Sequence, residues 1–245
     1  MNAARDDETR AERARSFGRV AADYDRIRPG YPAAAIAPLR PGPVVDVGAG
    51  TGKLTTALVA AGHAVVAVEP DPAMRTVLAG HDLPGVDVRD GTGERLPVAD
   101  GVAASVVYGQ AWHWVDPVAA SAEAARVLDP GGVLALLWNL PDVTAGWVAE
   151  LNRISGQPEV TARTTPPTLP GFGTPELVET RWTQDLTPGE LLLLFSTFSR
   201  VSTRAPDDRR AVLGHLRGHL ARTPETAGSM PIGYPYRCLT LLYRR

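Results

Sequence analysis

Residues Val44–Thr55, VVDVGAGTGKLT, combine a buried strand, a glycine turn and a helix start within one short stretch. Val44, Val45 and Val47 supply the apolar run, Gly48, Gly50 and Gly52 the turn, and a helix is expected to about Ala61. Asp46 falls inside the apolar run, where an unpaired carboxylate is costly, so it is expected to accept hydrogen bonds from the N–H groups of the turn. Glycines two apart remove the Cβ atoms that would keep a ligand off the main chain, and the following helix aims its partly positive N-terminus at the same place. Val65–Val68 then reads as a second buried strand ending in Glu69. A carboxylate at the tip of the second strand, beside a glycine turn at the tip of the first, has the layout of a ribose clamp.

The dinucleotide fingerprint requires a third glycine three positions after the second, and Lys53 stands there. The DxGxGxG spacing of 46–52 instead resembles the first motif of class I S-adenosylmethionine-dependent methyltransferases. Further stretches carry the same resemblance. Residues Phe17–Pro32, FGRVAADYDRIRPGYP, are similar to the N-terminal lid segment of small-molecule members. Gly91–Pro97, GTGERLP, stands where the family reads G-D-A-E-x-L-P, with Thr92 and Gly93 replacing the usual aspartate and alanine. Gly109–Asp116, GQAWHWVD, resembles a motif of the type 11 branch that includes trans-aconitate methyltransferase-like proteins. The string RVLDPGG, from Arg126, matches a landmark whose role in the family is structural, so Arg126 is expected to make a scaffold ion pair.

The resemblance implies S-adenosyl-L-methionine as methyl donor, S-adenosyl-L-homocysteine as product and a small-molecule acceptor. It places Gly48, Ala49 and Gly50 against the methionine part, with Asp46 ordering the turn, and Glu69, followed by Pro70, on the ribose. Gly93, Glu94, Gln110 and Ala111 would border the adenine and the methyl donor, and Tyr24 and Arg28 would close over them as a lid; Met74, one turn into its helix, reads either as a wall of the adenine pocket or as core filler. His113 is the candidate general base for a hydroxyl acceptor. A carboxylate acceptor needs none, and Arg28 would then orient it. Trp112 and Trp114 read either as packing residues or as an aromatic wall for a sulfonium.

The expected fold is α/β: a Rossmann-like, doubly wound seven-stranded sheet with an antiparallel last strand, an N-terminal lid and a small helical cap. Strands are expected at Val86–Val88, Val102–Tyr108, Val133–Trp138, Val178–Gln184 and Tyr236–Tyr243. Helices are expected after the caps Asp71, Asp116 and Thr187, and over Ala145–Ile154 and Pro206–Leu220. Pro158–Gly173 reads as a loop over the site. One domain is expected over 1–245, divided into tail and lid (1–32), cofactor core (33–140) and cap with C-terminal strands (141–245).

Bulk properties exclude other classes. A net charge of −2 carries no nucleic-acid footprint. Lys53 is the only lysine among 25 basic residues, a bias of genomic base composition rather than of function. The single cysteine, Cys238, precludes an internal disulfide framework or a cysteine-rich metal site. No membrane span or signal-peptide core is visible, so a cytoplasmic protein is expected, without metal, membrane or nucleic-acid partner. Two other readings stay open at this level: a cofactor-binding module without catalysis, and a nicotinamide-dependent oxidoreductase, which lacks its glycine spacing here.

Overall fold

The structure, a computed structural model, describes residues 25–157, 166–228 and 230–245. Seven strands form one sheet: β1 Val44–Val47, β2 Val65–Val68, β3 Val86–Arg89, β4 Ala103–Gly109, β5 Leu128–Pro141, β6 Glu176–Leu186 and β7 Ile232–Arg244. Their order is β3-β2-β1-β4-β5-β7-β6. Strands β1 to β5 pair in parallel, and β7 runs antiparallel to both of its neighbours. The antiparallel last strand expected from the sequence is present, inserted between β5 and β6.

Physical causes are plain in the core. Every residue of β1 is buried, and β4 is buried except at Gly109, as helices on both faces require. On one face lie α1 (Ala33–Ile36), α2 (Lys53–Ala60) and α3 (Pro72–Gly80), packing Ile36, Leu54, Leu58 and Leu78 against Val44, Val65 and Val107. On the other, α4 (Pro117–Val127) packs Ala120, Ala124 and Val127 against Val106 and Leu134. Asp71 and Asp116 cap α3 and α4 by accepting from the N–H groups two and three positions on, each with proline opening the helix.

A third apolar cluster forms the cap. It joins α5 (Gly146–Ser155), α6 (Pro188–Ser196), α7 (Ser199–Ser202) and α8 (Pro206–Arg222) to the start of β7 and to Ile27. Thr187 and Glu190 make the capping box of α6. Strands β5, β6 and β7 each run longer at both ends than periodicity indicated. Pairing with β7 over nine and eleven registered positions holds the carboxyl end of β5 and both ends of β6, and Leu128 at the start of β5 pairs with Ala103 of β4. The short helices α1 and α7 carried no signal long enough to read.

Part of the Pro158–Gly173 loop, 158–165, lies outside the described residues, as does Tyr24, expected in the lid. The described part of that loop does not cover the site. Leu169 is buried in the α4-side core and Pro167 O accepts from the Tyr243 hydroxyl at 2.7 Å. Arg126 makes its scaffold contacts with Glu123, Asp100 and the carbonyls of Val98 and Leu96. Cys238 is fully buried, and burial pushes its thiol up to about 12, so it behaves as a small core residue.

Candidate active site

After β3 the chain crosses back over the sheet, so β1 and β4 are neighbours whose connections leave in opposite directions. That switch point opens a crevice at the strands' carboxyl ends. The crevice is a cavity of about 550 Å³, within the range of roughly 300–1,000 Å³ usual for small-molecule sites. Its walls bring together Arg28, Asp46, Gly48, Ala49, Gly50, Glu69, Pro70, Met74, Gly93, Glu94, Gln110 and Ala111. They add residues the sequence did not assign to the site: Thr51, Lys53, Leu54, Asp71, Tyr108, Val115 and Asn139.

The glycine turn is built inward. The N–H groups of Gly48 and Ala49 donate to Val68 O at 2.8 and 3.1 Å, and that of Gly50 to Glu69 Oε2 at 2.8 Å. These donors therefore do not serve Asp46, contrary to the expectation from sequence. The Thr55 hydroxyl, one turn into α2, donates to Asp46 Oδ2 at 2.6 Å. Asp46 Oδ1 is buried with no hydrogen-bond partner among the described residues. Burial pushes the Asp46 carboxyl up to about 7, against the pull of the Thr55 hydrogen bond and with a contribution from the nearby Glu69 charge. Gly48 has no substitute: its φ is +66°, and a Cβ there would stand 2.6 Å from the Cβ of Ala111.

Glu69 is 6% exposed and ties the glycine turn to the start of α3. Its Oε1 accepts from the Asp71 N–H at 2.9 Å, while Oε2 takes the Gly50 N–H. Met74 faces Gly50, its Sδ 3.9 Å from where a Cβ would lie. Glu94 Oε1 accepts from the Asp116 N–H at 2.8 Å, so this carboxylate ties the turn after β3 to the cap of α4 as well as lining the cavity.

Gln110 is one of two described non-glycine residues with positive φ, at +59°. That conformation turns its side chain along the strand ends, where Nε2 donates to Asn139 O at 2.8 Å. Asn139 is 6% exposed at the end of β5. Its Nδ2 donates to Gly30 O at 2.7 Å and its Oδ1 accepts from Trp182 Nε1 at 3.1 Å. A polar residue closing the apolar run LALLWN was the available sequence signal for it.

The two tryptophans part company. Trp112 is buried in the core, its ring edge-on to Tyr108 at 4.8 Å, as packing requires. Trp114 lines the cavity and is 81% exposed. His113 lies between them on the exposed side of the 3-10 turn Trp112–Trp114, tilted against Trp114 at 4.7 Å, and does not line the cavity. A 3-10 helix has three residues per turn, so three successive rings leave it in three directions. Arg28 reaches toward the cap, donating to Thr197 O at 3.0 Å with its guanidinium 5.1 Å from the Phe198 ring centroid.

A doubly wound sheet with a glycine turn, a carboxylate on the next strand and a cavity at the switch point defines a nucleotide-cofactor-binding α/β protein. The comparisons narrow it. Residues 45–136 match the model of the methyltransferase domain family. An uncharacterized methyltransferase of Mycobacterium tuberculosis is 42% identical over 231 residues, 93% of this chain and 95% of its own length. An uncharacterized methyltransferase of Schizosaccharomyces pombe is 30% identical, over 86% of this chain and 91% of its own. A solved structure from Anaeromyxobacter dehalogenans, assigned as a type II methyltransferase, shares the fold with a TM-score of 0.62. It is 24% identical, over 89% of this chain and 96% of its own. This chain belongs to the methyltransferase family, and its activity is methyl transfer dependent on S-adenosylmethionine. No described helix is long and apolar enough to cross a membrane.

Proposed function

We propose that the cavity at the β1–β4 switch point holds S-adenosylmethionine and presents its methyl group to a small-molecule acceptor. The observation that carries this reading is the orphaned, buried Asp46 Oδ1 in a cavity wall that also holds Glu69 and the glycine turn. An unpartnered carboxylate oxygen in such a place fits the ammonium group of a methionine moiety. Glu69, with both oxygens steadied by N–H donors, keeps lone pairs for ribose hydroxyls. Met74, Gly93, Glu94 and Ala111 would enclose the adenine, and Gly48, Ala49, Gly50 and Pro70 the surface beneath it.

When bound, the sulfonium supplies an activated methyl carbon and its own leaving group. This chain's residues then have to align, exclude water and steady charge. Arg28, Tyr31 and Asn139 form the wall nearest the cap, so the acceptor enters there. His113, off the cavity, takes no part. The acceptor atom attacks with a lone pair it already carries. The resemblance of Gly109–Asp116 to trans-aconitate methyltransferase-like proteins supports a small polar acceptor, met in the cytoplasm, with no nucleic acid or membrane involved.

Calorimetric titration with S-adenosylhomocysteine, NAD and NADP tests the reading, with Glu69→Ala as control. Saturable binding of the adenosyl ligand alone, weakened about tenfold or more by loss of a charged hydrogen-bonding partner, is the expected result. Binding of a nicotinamide nucleotide instead would overturn it.

A further inference from the structure

Residues 28–31 carry no regular structure, yet Arg28, Pro29 and Tyr31 make one wall of the cavity. A loop holds a wall only if its backbone is tied down. Two side-chain amides from the sheet do this. Asn139 Nδ2 donates to Gly30 O at 2.7 Å, and Gln184 Nε2, from β6, donates to Ile27 O at 3.2 Å.

An asparagine amide can turn over and offer its oxygen where its nitrogen stood. Here the choice is made by Trp182, two residues before Gln184 on the same face of β6. Its indole N–H is a donor only, so Asn139 Oδ1 must face it and Nδ2 must face Gly30. The indole is itself fixed, stacked on Tyr236 of β7 at 5.0 Å between ring centroids and 19° between planes. Because β6 and β7 pair with Trp182 opposite Tyr236 and Gln184 opposite Tyr234, the two tethers share one strand face.

We propose that Trp182 and Gln184 are positioning residues for methyl transfer: they hold residues 27–30 as a wall over the cofactor, Trp182 by orienting Asn139 and Gln184 directly. Both lie beyond residues 45–136, the part matched by the family model. The proposal rests on the cofactor reading of the cavity.

The test uses Trp182→Phe, which keeps a ring against Tyr236 and removes the N–H, and Gln184→Leu, which removes the second tether. S-adenosylhomocysteine affinity and dissociation rate, KM for S-adenosylmethionine and the melting temperature of the free protein are measured for each. Loss of one buried hydrogen bond corresponds to about a five- to tenfold change. The expected result is a rise of that size in Kd and KM, carried by faster dissociation, with kcat at saturation little changed, and with melting lowered only in Trp182→Phe, which strips Asn139 Oδ1 of its donor. A purely structural role would lower melting and leave KM where it was, and that outcome overturns the proposal. So does wild-type affinity in both variants. If Trp182→Phe does not fold, Gln184→Leu alone decides. If the wild-type chain fails to bind S-adenosylhomocysteine, the cofactor reading falls rather than the tethers, since the wild-type titration comes first.

Discussion

Asp46 sits where burial and chemistry pull in opposite directions. Its carboxyl, lifted to about 7 by burial, keeps a proton in the free folded chain at acid pH. The unfolded chain releases that proton near the ordinary value of 3.8. Between those limits the folded state binds more protons, so stability falls as pH rises from about 4 to 7 and is level above. Asp46→Asn should flatten that slope in thermal melts taken from pH 5 to 8, where each pH unit on the slope is worth roughly 1.4 kcal/mol. A ligand ammonium reverses the preference and favours the carboxylate. Adenosyl-ligand affinity should therefore rise with pH up to about 7 and release a proton. Calorimetry in two buffers of different ionisation enthalpy reads that proton, and Asp46→Asn should abolish it. Gly48→Ala makes a second residue-scale prediction. With φ at +66° and Ala111 in the way, it should cost about 1–3 kcal/mol in denaturant unfolding and weaken ligand binding.

At the scale of elements, β7 brings two tyrosines into the cap core with their hydroxyls buried and without a partner among the described residues, Tyr234 and Tyr236. A buried, unpartnered hydroxyl costs roughly 1–3 kcal/mol, so Tyr234→Phe should raise the melting temperature of the free protein. Helix α6 begins on the Thr187–Glu190 capping box, and Thr187→Ala should cost about 1 kcal/mol by the same measurement. Elements were also what the sequence showed best. Val44–Val47 and Val65–Val68 are apolar runs that only a sheet covered on both faces can hide, and Asp71, Asp116 and Thr187 each stand directly before a proline. The site was legible where one short stretch builds it, as at Gly48–Gly50 and Glu69. It was illegible where partners come from distant strands. Trp182 meets Asn139 only through the β5–β7–β6 register, and the direction of Gln110 follows from a positive φ that no composition marks. His113 was expected at the site and stands off the cavity wall, because a motif gives spacing without giving the side of the turn.

Across the whole molecule, the cavity draws on both halves of the sheet. Every described residue lining it lies between 28 and 139. Hydrogen exchange with saturating S-adenosylhomocysteine should show protection at 46–50, 69–74 and 109–111, and across 28–31 through its tethers. Strand β3 and the outer turns of α8 should exchange as in the free protein. At a ligand concentration of 100 times Kd the whole fold gains about 2.7 kcal/mol. The strand order has one more consequence, and it concerns time rather than energy. A ribosome delivers β6 before β7, yet the only strand β6 pairs with is β7. Until β7 arrives, β6 has no seat, Trp182 has no ring to lie on, and residues 27–30 lack the Gln184 tether and the indole that orients Asn139. The nascent chain thus completes its cofactor floor early and waits, roofless, for a strand made about a hundred residues later.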